Sequence, residues 1–550
     1  MKSKKMVFVG GGHNSLVAAA YAAKAGHDVT VLEARDVVGG AASTDATTFP
    51  GYKLSSYSYL NSLFLPEVVE DLELKRYGYE VLPRNPSSFT PLPDGRHLFL
   101  GPDMEANKKE IAKFSQKDAE AYPRYEHELG ELGDWMASMM TMIPPNIPPR
   151  SLRDIEAIFG VARHVLKLSF RQMSRLRKLL TSDPIDYLDR WFDSDVLKAT
   201  LLTDALIGAV ELNGYVLLHH VMGNAGGARG VWGYMRGGMG GISHALERAC
   251  IGLGVKVITR ARVARIHTSK TNAVTGVTAR VFASDWKQGE LKVYPADVVV
   301  SGIDPTHTFG TLMSLSEGAR EIAVRMKQRD MKSATMKINC TLKGLPNWKA
   351  VPGTTVGPQH SGTIHISPSV KYILNALEAF HAGRPHQFPL LEITLPSALD
   401  DTLAPRGHHV MNIFLQFYAY EADATLDKRQ SEEYFQAVVL PLLREYITNI
   451  DEIIAGVQIL TPRSIEAEIG MPGGNIFHGG MGLSELFALR PISGMADYRV
   501  REFPGLYLCG AGTHPGGGVT GASGYNVARV IAADLKVQEF DPEYYYYPGG

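Results

Sequence analysis

The run Met6–Ser15, MVFVGGGHNS, is the segment that most narrows what this chain can fold into. Val7-Phe8-Val9, with Met6, is a short apolar run of the kind that forms a buried parallel strand. Leu16–Ala25 is rich in alanine and leucine, which favour helix, and Gly26 is placed to end it. His27–Leu32 then reads as a second strand and closes on Glu33. The glycines thus lie between strand and helix of a β-α-β unit about thirty residues long, with an acid about twenty residues on. Gly10 permits a tight turn. Gly12 lets a pyrophosphate reach the backbone at a helix N-terminus, where unpaired N–H groups and the positive end of the helix dipole face it. Glu33 is placed to accept hydrogen bonds from a ribose. Ser15 stands where such loops carry a third glycine, and it is small enough to preserve close helix–strand packing. Asn14 is expected to cap the helix or contact phosphate. The unit predicts a dinucleotide site in an α/β fold.

The stretch after Glu33, Ala34-Arg35-Asp36-Val37-Val38-Gly39-Gly40-Ala41-Ala42, resembles the extension seen in FAD enzymes of the amine oxidase and phytoene desaturase kind. Leu506–Gly512 and Thr513–Ala522 resemble the late FAD strand and glycine loop of those enzymes, and Trp232–Gly241 their glycine-rich segment at the flavin. Leu217-Leu218-His219-His220 and Gly473-Gly474-Asn475 are similar to a phytoene desaturase-like subgroup. The resemblance covers nearly the whole chain. It implies a Rossmann-like FAD-binding domain interleaved with an α+β substrate domain, and FAD held non-covalently. The residues it places at FAD are Gly10, Gly12, Asn14, Ser15, Glu33, Ala34, Arg35, Gly39, Gly40, Ala41, Ala42, Gly238, Met239, Gly302, Gly510, Ala511, Gly521 and Ala522. Val263 would offer backbone bonds to the adenine.

Composition excludes several classes. With 550 residues and 45% apolar content the chain has room for two domains and large cores. No apolar stretch approaches the roughly eighteen residues of a spanning helix. A net charge of −1 leaves no nucleic-acid footprint. Cys250, Cys340 and Cys509 are an odd, scattered set. They point to reduced thiols in a cytoplasmic compartment, with no disulfide framework and no metal site. Lys2, Lys4 and Lys5 lead directly into the first strand, so the start reads as fold and not as a signal peptide. No C-x-x-C is present for disulfide-reductase chemistry.

The expected organisation weaves. Residues 1–102, 225–309 and 476–538 build the cofactor domain. Residues 103–224 are mostly helical, broken at the proline-dense Ile143–Pro149. Residues 310–475 carry the substrate-domain sheet, with strand patterns in Phe388–Leu395 and His409–Phe417. Residues 539–550 form a tail without a clear role. Gly238–Ser243 imitates a second glycine fingerprint, but the preceding Val231–Gly237 is not a buried strand and no acid ends the next strand. A second dinucleotide fold is therefore not expected.

Arg163, Lys167, Arg171 and Arg175 recur every four residues among Val161, Val165, Leu168, Leu176 and Leu179, which predicts one basic amphipathic helix. Its open roles are a solvated face, peripheral contact with anionic lipid, or a subunit contact in a homo-oligomer. His219 and His220 are the candidate catalytic pair, as acid or base beside the flavin; the alternative is a hydrogen-bonded structural role. His514 borders the flavin or holds a turn. Trp232 and Tyr234 form a cavity wall or core, and Ser55–Tyr59 resembles a segment near the ring system. These readings converge on an FAD-dependent oxidoreductase acting on a carbon–carbon bond of a lipophilic, polyene or terpenoid substrate. Desaturation, saturation and isomerisation stay open, as do oxygen or a quinone as electron acceptor. One alternative is a flavin amine oxidase, which would bring a lysine near flavin N5 and an aromatic pair that Phe503–Gly524 lacks. The other is a non-catalytic, FAD-stabilised interaction protein.

Overall fold

Met6, Val7, Phe8 and Val9 are all buried, because Met6 and Phe8 point to one side of a sheet and Val7 and Val9 to the other, and both sides are covered. The structure is a computed structural model describing residues 3–223, 232–283 and 286–537. The expected tail, 539–550, and Val231 lie outside the described residues. Lys5–Val9 pairs in parallel with Asp28–Leu32 on one side and Val298–Ser301 on the other. Lys256–Ile258 and Leu506–Leu508 complete a five-stranded parallel sheet. On the Phe8 side, helix His13–Lys24 packs against helices Gly240–Gly252 and Ala522–Leu535. On the Val7 side lies an antiparallel three-stranded sheet, Ala261–Thr268, Val274–Phe282 and Gly289–Pro295.

The second sheet has seven strands in the order Ile454–Leu460, Thr335–Leu342, His409–Gln416, Leu391–Thr394, Thr363–Ile366, Ser88–Pro91 and His97–Leu100. The last two correct the expected boundary at residue 102. They are four-residue strands whose membership is decided by pairing of Ser88 with Thr363, a partner 275 residues away in sequence that no local pattern announces. Helices including Gln116–Met140, Asp195–Leu202 and Gly214–Val221 share a core with this second domain through Leu390 and Phe417. Gly233–Met235 pairs antiparallel with Val81–Pro83 and lies outside the parallel sheet, so the glycines at 237–241 do not follow a Rossmann strand.

The predicted single basic helix is corrected. Two helices occupy the region, Leu152–Val165 and Phe170–Thr181. Ser169 begins the second with a capping box: its hydroxyl accepts from Gln172 N, and the Gln172 side chain accepts from Ser169 N at 3.0 Å. That cap outweighs the four-residue charge spacing, so the cations do not form one stripe. Arg175 turns inward to pair with Glu128 at 2.8 Å. The exposed stripe is apolar: Leu152, Phe159 and Leu166 are 78%, 66% and 77% exposed, and Phe170 86%. Among the described residues no helix is long and apolar enough to cross a membrane.

Trp348 is fully buried and meets Phe89 edge-on at 5.8 Å, linking the next-to-last strand of the second sheet to its covering loop. Trp348→Ala should lower stability by about 3–5 kcal/mol. The check is a clear drop in the denaturant midpoint with an unchanged far-ultraviolet spectrum under native conditions.

Candidate functional site

The glycine loop forms an open backbone cradle. Gly10 holds φ +88° and donates to Leu32 O at 2.8 Å; a Cβ there would come within 2.9 Å of Ile303. Gly12 precedes helix His13–Lys24, whose first turn has no side-chain cap, and a Cβ at Gly12 would meet nothing within 4 Å. An uncapped helix N-terminus beside a glycine with open space around it suits an anionic phosphate. Asn14 therefore does not cap the helix. Its side-chain oxygen lies 3.5 Å from Gly524 N and links the first helix to the last.

Glu33 is buried and fixed at both oxygens, accepting from Gly11 N at 2.7 Å and Arg35 N at 2.8 Å. Its remaining lone pairs are free to accept from a ribose. Ala34 connects it to Arg35, whose guanidinium lies 3.4 Å from Gly40 O and whose Nε is buried without a partner. Gly39 donates to Gly11 O at 2.8 Å and is itself bonded by Ala42 N at 3.0 Å. Gly39, Gly40, Ala41 and Ala42 thus wrap the open side of the loop. Val263 sits in the strand whose first residue, Ala261, donates to Glu33 O at 2.7 Å.

The other expected cofactor residues converge on the same region. Ser15 is fully buried against Gly302, where a Cβ would stand 3.1 Å from both Ser15 Cβ and Cys509 O. Gly510 donates to Ser523 Oγ at 3.0 Å, and Ala511 O accepts from Arg490 at 3.1 Å. Gly521, at φ +72°, begins helix Ala522–Leu535, and Ala522 N donates to Thr520 Oγ1 at 3.1 Å. Gly238 takes φ +81°, and Met239 N donates to Ser55 Oγ at 3.1 Å. His13 Nε2 is a second buried polar atom without a partner. The open cradle and these orphaned nitrogens fit a bound dinucleotide.

A cavity of about 450 Å³ runs from this cradle to the seven-stranded sheet. His13, Ala41, Ala511 and Gly518 line one end, and Lys337, His365 and Glu392 the other. His219 and His220 line it together, on helix Gly214–Val221. Neither His219 ring nitrogen has a partner, and burial, with lesser help from His220 and Arg490, pushes its pKa down to about 3. His219 is therefore neutral and a poor proton acceptor at neutral pH; it offers one N–H and one lone pair to whatever occupies the cavity. His220 is lowered by burial against hydrogen bonds that raise it. Its Nδ1 is 2.8 Å from the carbonyls of Asp204 and Val216, and its ring stacks on Trp232. His514 is tied to the end of helix Gln116–Met140, with Nε2 2.9 Å from Met139 O. Trp232 is cavity wall, whereas Tyr234 is core.

The sequence reading missed Arg84, Glu126, Asp204, Lys337, His365 and Glu392, all of which line the cavity. They come from six separate elements or loops and form no motif. Only the tertiary fold collects them.

A family profile described as an NAD(P)-binding Rossmann-like domain matches residues 9–67. The rat pyridine nucleotide-disulfide oxidoreductase domain-containing protein 2 is 39% identical over 554 residues, spanning 96% of this chain and 93% of its own. A limonene dehydrogenase polypeptide of Castellaniella defragrans is 25% identical over 97% of this chain and 95% of its own. The lycopene-forming phytoene desaturase of a Paracoccus species is 23% identical over 97% and 98%. Among solved structures, an oxidoreductase from Methanosarcina mazei shares the fold with TM-score 0.55 and 16% identity, covering 96% of this chain and all of that one, 100%.

Fold and cradle define the class as an oxidoreductase of the FAD-dependent superfamily, with a Rossmann-like domain interleaved with a sheet-bearing second domain. Within it, the chain belongs to the pyridine nucleotide-disulfide oxidoreductase domain-containing protein 2 family. The family's name notwithstanding, Cys250, Cys340 and Cys509 are buried and form no disulfide, and burial pushes the Cys250 and Cys340 thiols up to about 12. Such thiols are inert toward exchange.

The Ser15–Gly302 contact gives a packing test. Ser15→Gly and Ser15→Ala should keep cofactor binding, whereas Ser15→Leu should lose it, because a longer side chain has only the Gly302 backbone to enter. Gly302→Ala should be destabilising alone and milder in a Ser15→Gly background, read as non-additive melting temperatures. Additive effects would mean that the two residues do not press on each other.

Proposed function

We propose that this protein binds FAD non-covalently and oxidises a carbon–carbon bond of a largely apolar substrate. The carrying observation is the continuous cavity that begins at the glycine cradle and ends among side chains of the second sheet. FAD, when bound, would supply the two-electron acceptor for a hydride. The chain's own work is then positional. Gly10, Gly12, Glu33 and Arg35 would hold the nucleotide, and Gly510, Ala511, Gly521 and Ala522 would bring backbone close to the ring system. Leu63, Phe414, Ile476 and Phe477 supply apolar cavity wall, which keeps water from the reacting carbon. His219, neutral and unpartnered, would orient cofactor or substrate by hydrogen bonds. The activities for which the limonene dehydrogenase and phytoene desaturase relatives are named support this class of bond. Oxygen or a quinone would serve as acceptor.

A second reading, amine oxidation, draws on one observation. Lys337 is buried in the cavity wall, with its Nζ 5.0 Å from the centre of the Tyr59 ring. Substrate-dependent bleaching of the flavin, amines against hydrocarbons, separates the two readings.

Delivery is proposed from an anionic bilayer surface. The basis is the exposed apolar stripe Leu152–Phe159–Leu166 with Phe170, flanked by exposed Lys167, Arg171, Arg177 and Lys178.

Glu33→Ala should weaken FAD retention by about tenfold or more, since a hydrogen bond to a charged group contributes roughly 1.5–3 kcal/mol. The ratio of flavin absorbance to protein in purified samples measures this; full occupancy in the variant would refute the placement of the ribose. Replacing Phe159, Leu166 and Phe170 by serine should abolish binding to anionic vesicles while leaving FAD content intact, each inserted side chain contributing about 1.5–3 kcal/mol. A change of oligomer size in that variant would instead make the stripe a subunit contact, and wild-type protein that ignores vesicles at low salt would end the delivery proposal.

A further inference from the structure

The cavity end remote from the glycine cradle is not apolar. Glu126, Asp204 and Glu392 line it with Arg84, His365 and Lys337. Glu392 is 1% exposed. One of its oxygens accepts from Tyr59 OH at 3.1 Å, and the other has no hydrogen-bond partner and stands 3.5 Å from His365 Nδ1. Arg84 is committed elsewhere, donating to Thr363 Oγ1 at 2.7 Å and to Trp232 O at 3.1 Å. Lys337 donates to Asn339 Oδ1 at 2.8 Å, and burial drives its pKa well below the ordinary lysine value, so it is not a permanent cation. Among the described residues lining this end, three carboxyl groups thus face one permanent cation.

Burying acids together is unfavourable unless something positive or protic meets them. Burial first, then Glu392, pushes Asp204 up to about 7, and burial also raises Glu126 against its hydrogen bond from Tyr122. Glu392 lines the cavity with one carboxylate oxygen that accepts no hydrogen bond from this chain, its nearest basic neighbour being His365 Nδ1 at 3.5 Å.

We propose that this end of the cavity recognises a positively charged nitrogen, so that the substrate is amphiphilic, with an apolar portion near the cradle and a cationic group among Glu392, Asp204 and Glu126. An ammonium offers N–H donors to all three acids and supplies the charge they lack. The proposal rests on the reading of this cavity as the substrate cavity. It narrows the substrate class from a plain hydrocarbon to a cationic amphiphile.

The test is calorimetric titration of the FAD-supplemented full chain with three ten-carbon probes: decylammonium, decanol and decanoate. Decylammonium should bind at least about tenfold more tightly than decanol, and decanoate more weakly than either. Glu392→Gln and Asp204→Asn should each erase most of that preference while leaving decanol affinity unchanged. Wild-type protein asks the same question without substitution. Asp204, faced by Glu392, His365, Glu126 and Arg84, with His220 on its carbonyl, sheds its proton around a pKa of about 7. Decylammonium affinity should rise as pH rises through that value, and decanol affinity should not. Equal binding of decanol and decylammonium, or a preference that survives in the Glu392→Gln/Asp204→Asn double variant, would overturn the proposal. Anaerobic spectra keep its fate separate from that of the carbon–carbon reading. Tight decylammonium binding with bleaching and release of decanal and ammonia keeps the cation site and refutes the carbon–carbon reading, whereas bleaching that leaves the ammonium in the product supports both.

Discussion

Everything at the cofactor end depends on how closely helix His13–Lys24 approaches its neighbours. Its N-terminus can face a phosphate only if the helix lies almost against strand backbone, and that needs small residues at each contact. Ser15 meets Gly302, and Gly524 of the last helix lies so near that an added Cβ would come within 2.9 Å of Val17 Cβ. Ala18, Ala19 and Ala20 continue the fully packed interface. This three-way contact joins chain segments more than 200 residues apart, which is how the cofactor domain forms from separated pieces.

The cradle is set by backbone, whereas the cavity beyond it is set by electrostatics. Glu33 spends both oxygens on Gly11 and Arg35 N–H groups, so it is immobilised before any ribose arrives. Such preorganisation lowers the ordering cost of binding. From His13 at the cradle inward, burial governs protonation: His13 is pushed down to about 4, His219 to about 3, and Asp204 up to about 7. A cavity with an apolar wall at one end and uncompensated acids at the other selects by polarity along its length.

The sequence by itself determined what lies within one β-α-β unit or one turn. Local spacing fixes the positions of Gly10, Gly12 and Glu33, because the phosphate cradle is built from consecutive backbone and needs no distant partner. Family resemblance extended this to Gly302, Gly510 and Gly521, each of which the structure brings to the same region. Spacing alone failed on the basic run, where the Ser169 capping box breaks the helix and Arg175 turns in to Glu128. It also failed on residues 88–100, whose four-residue strands are claimed by a distant sheet edge. Only the tertiary structure decided the chemistry of the cavity. Arg84, Glu126, Asp204, Lys337, His365 and Glu392 are ordinary residues in unrelated segments until the fold removes water from around them. Charge, pKa and affinity then result from burial and proximity, which no spacing in a linear chain encodes.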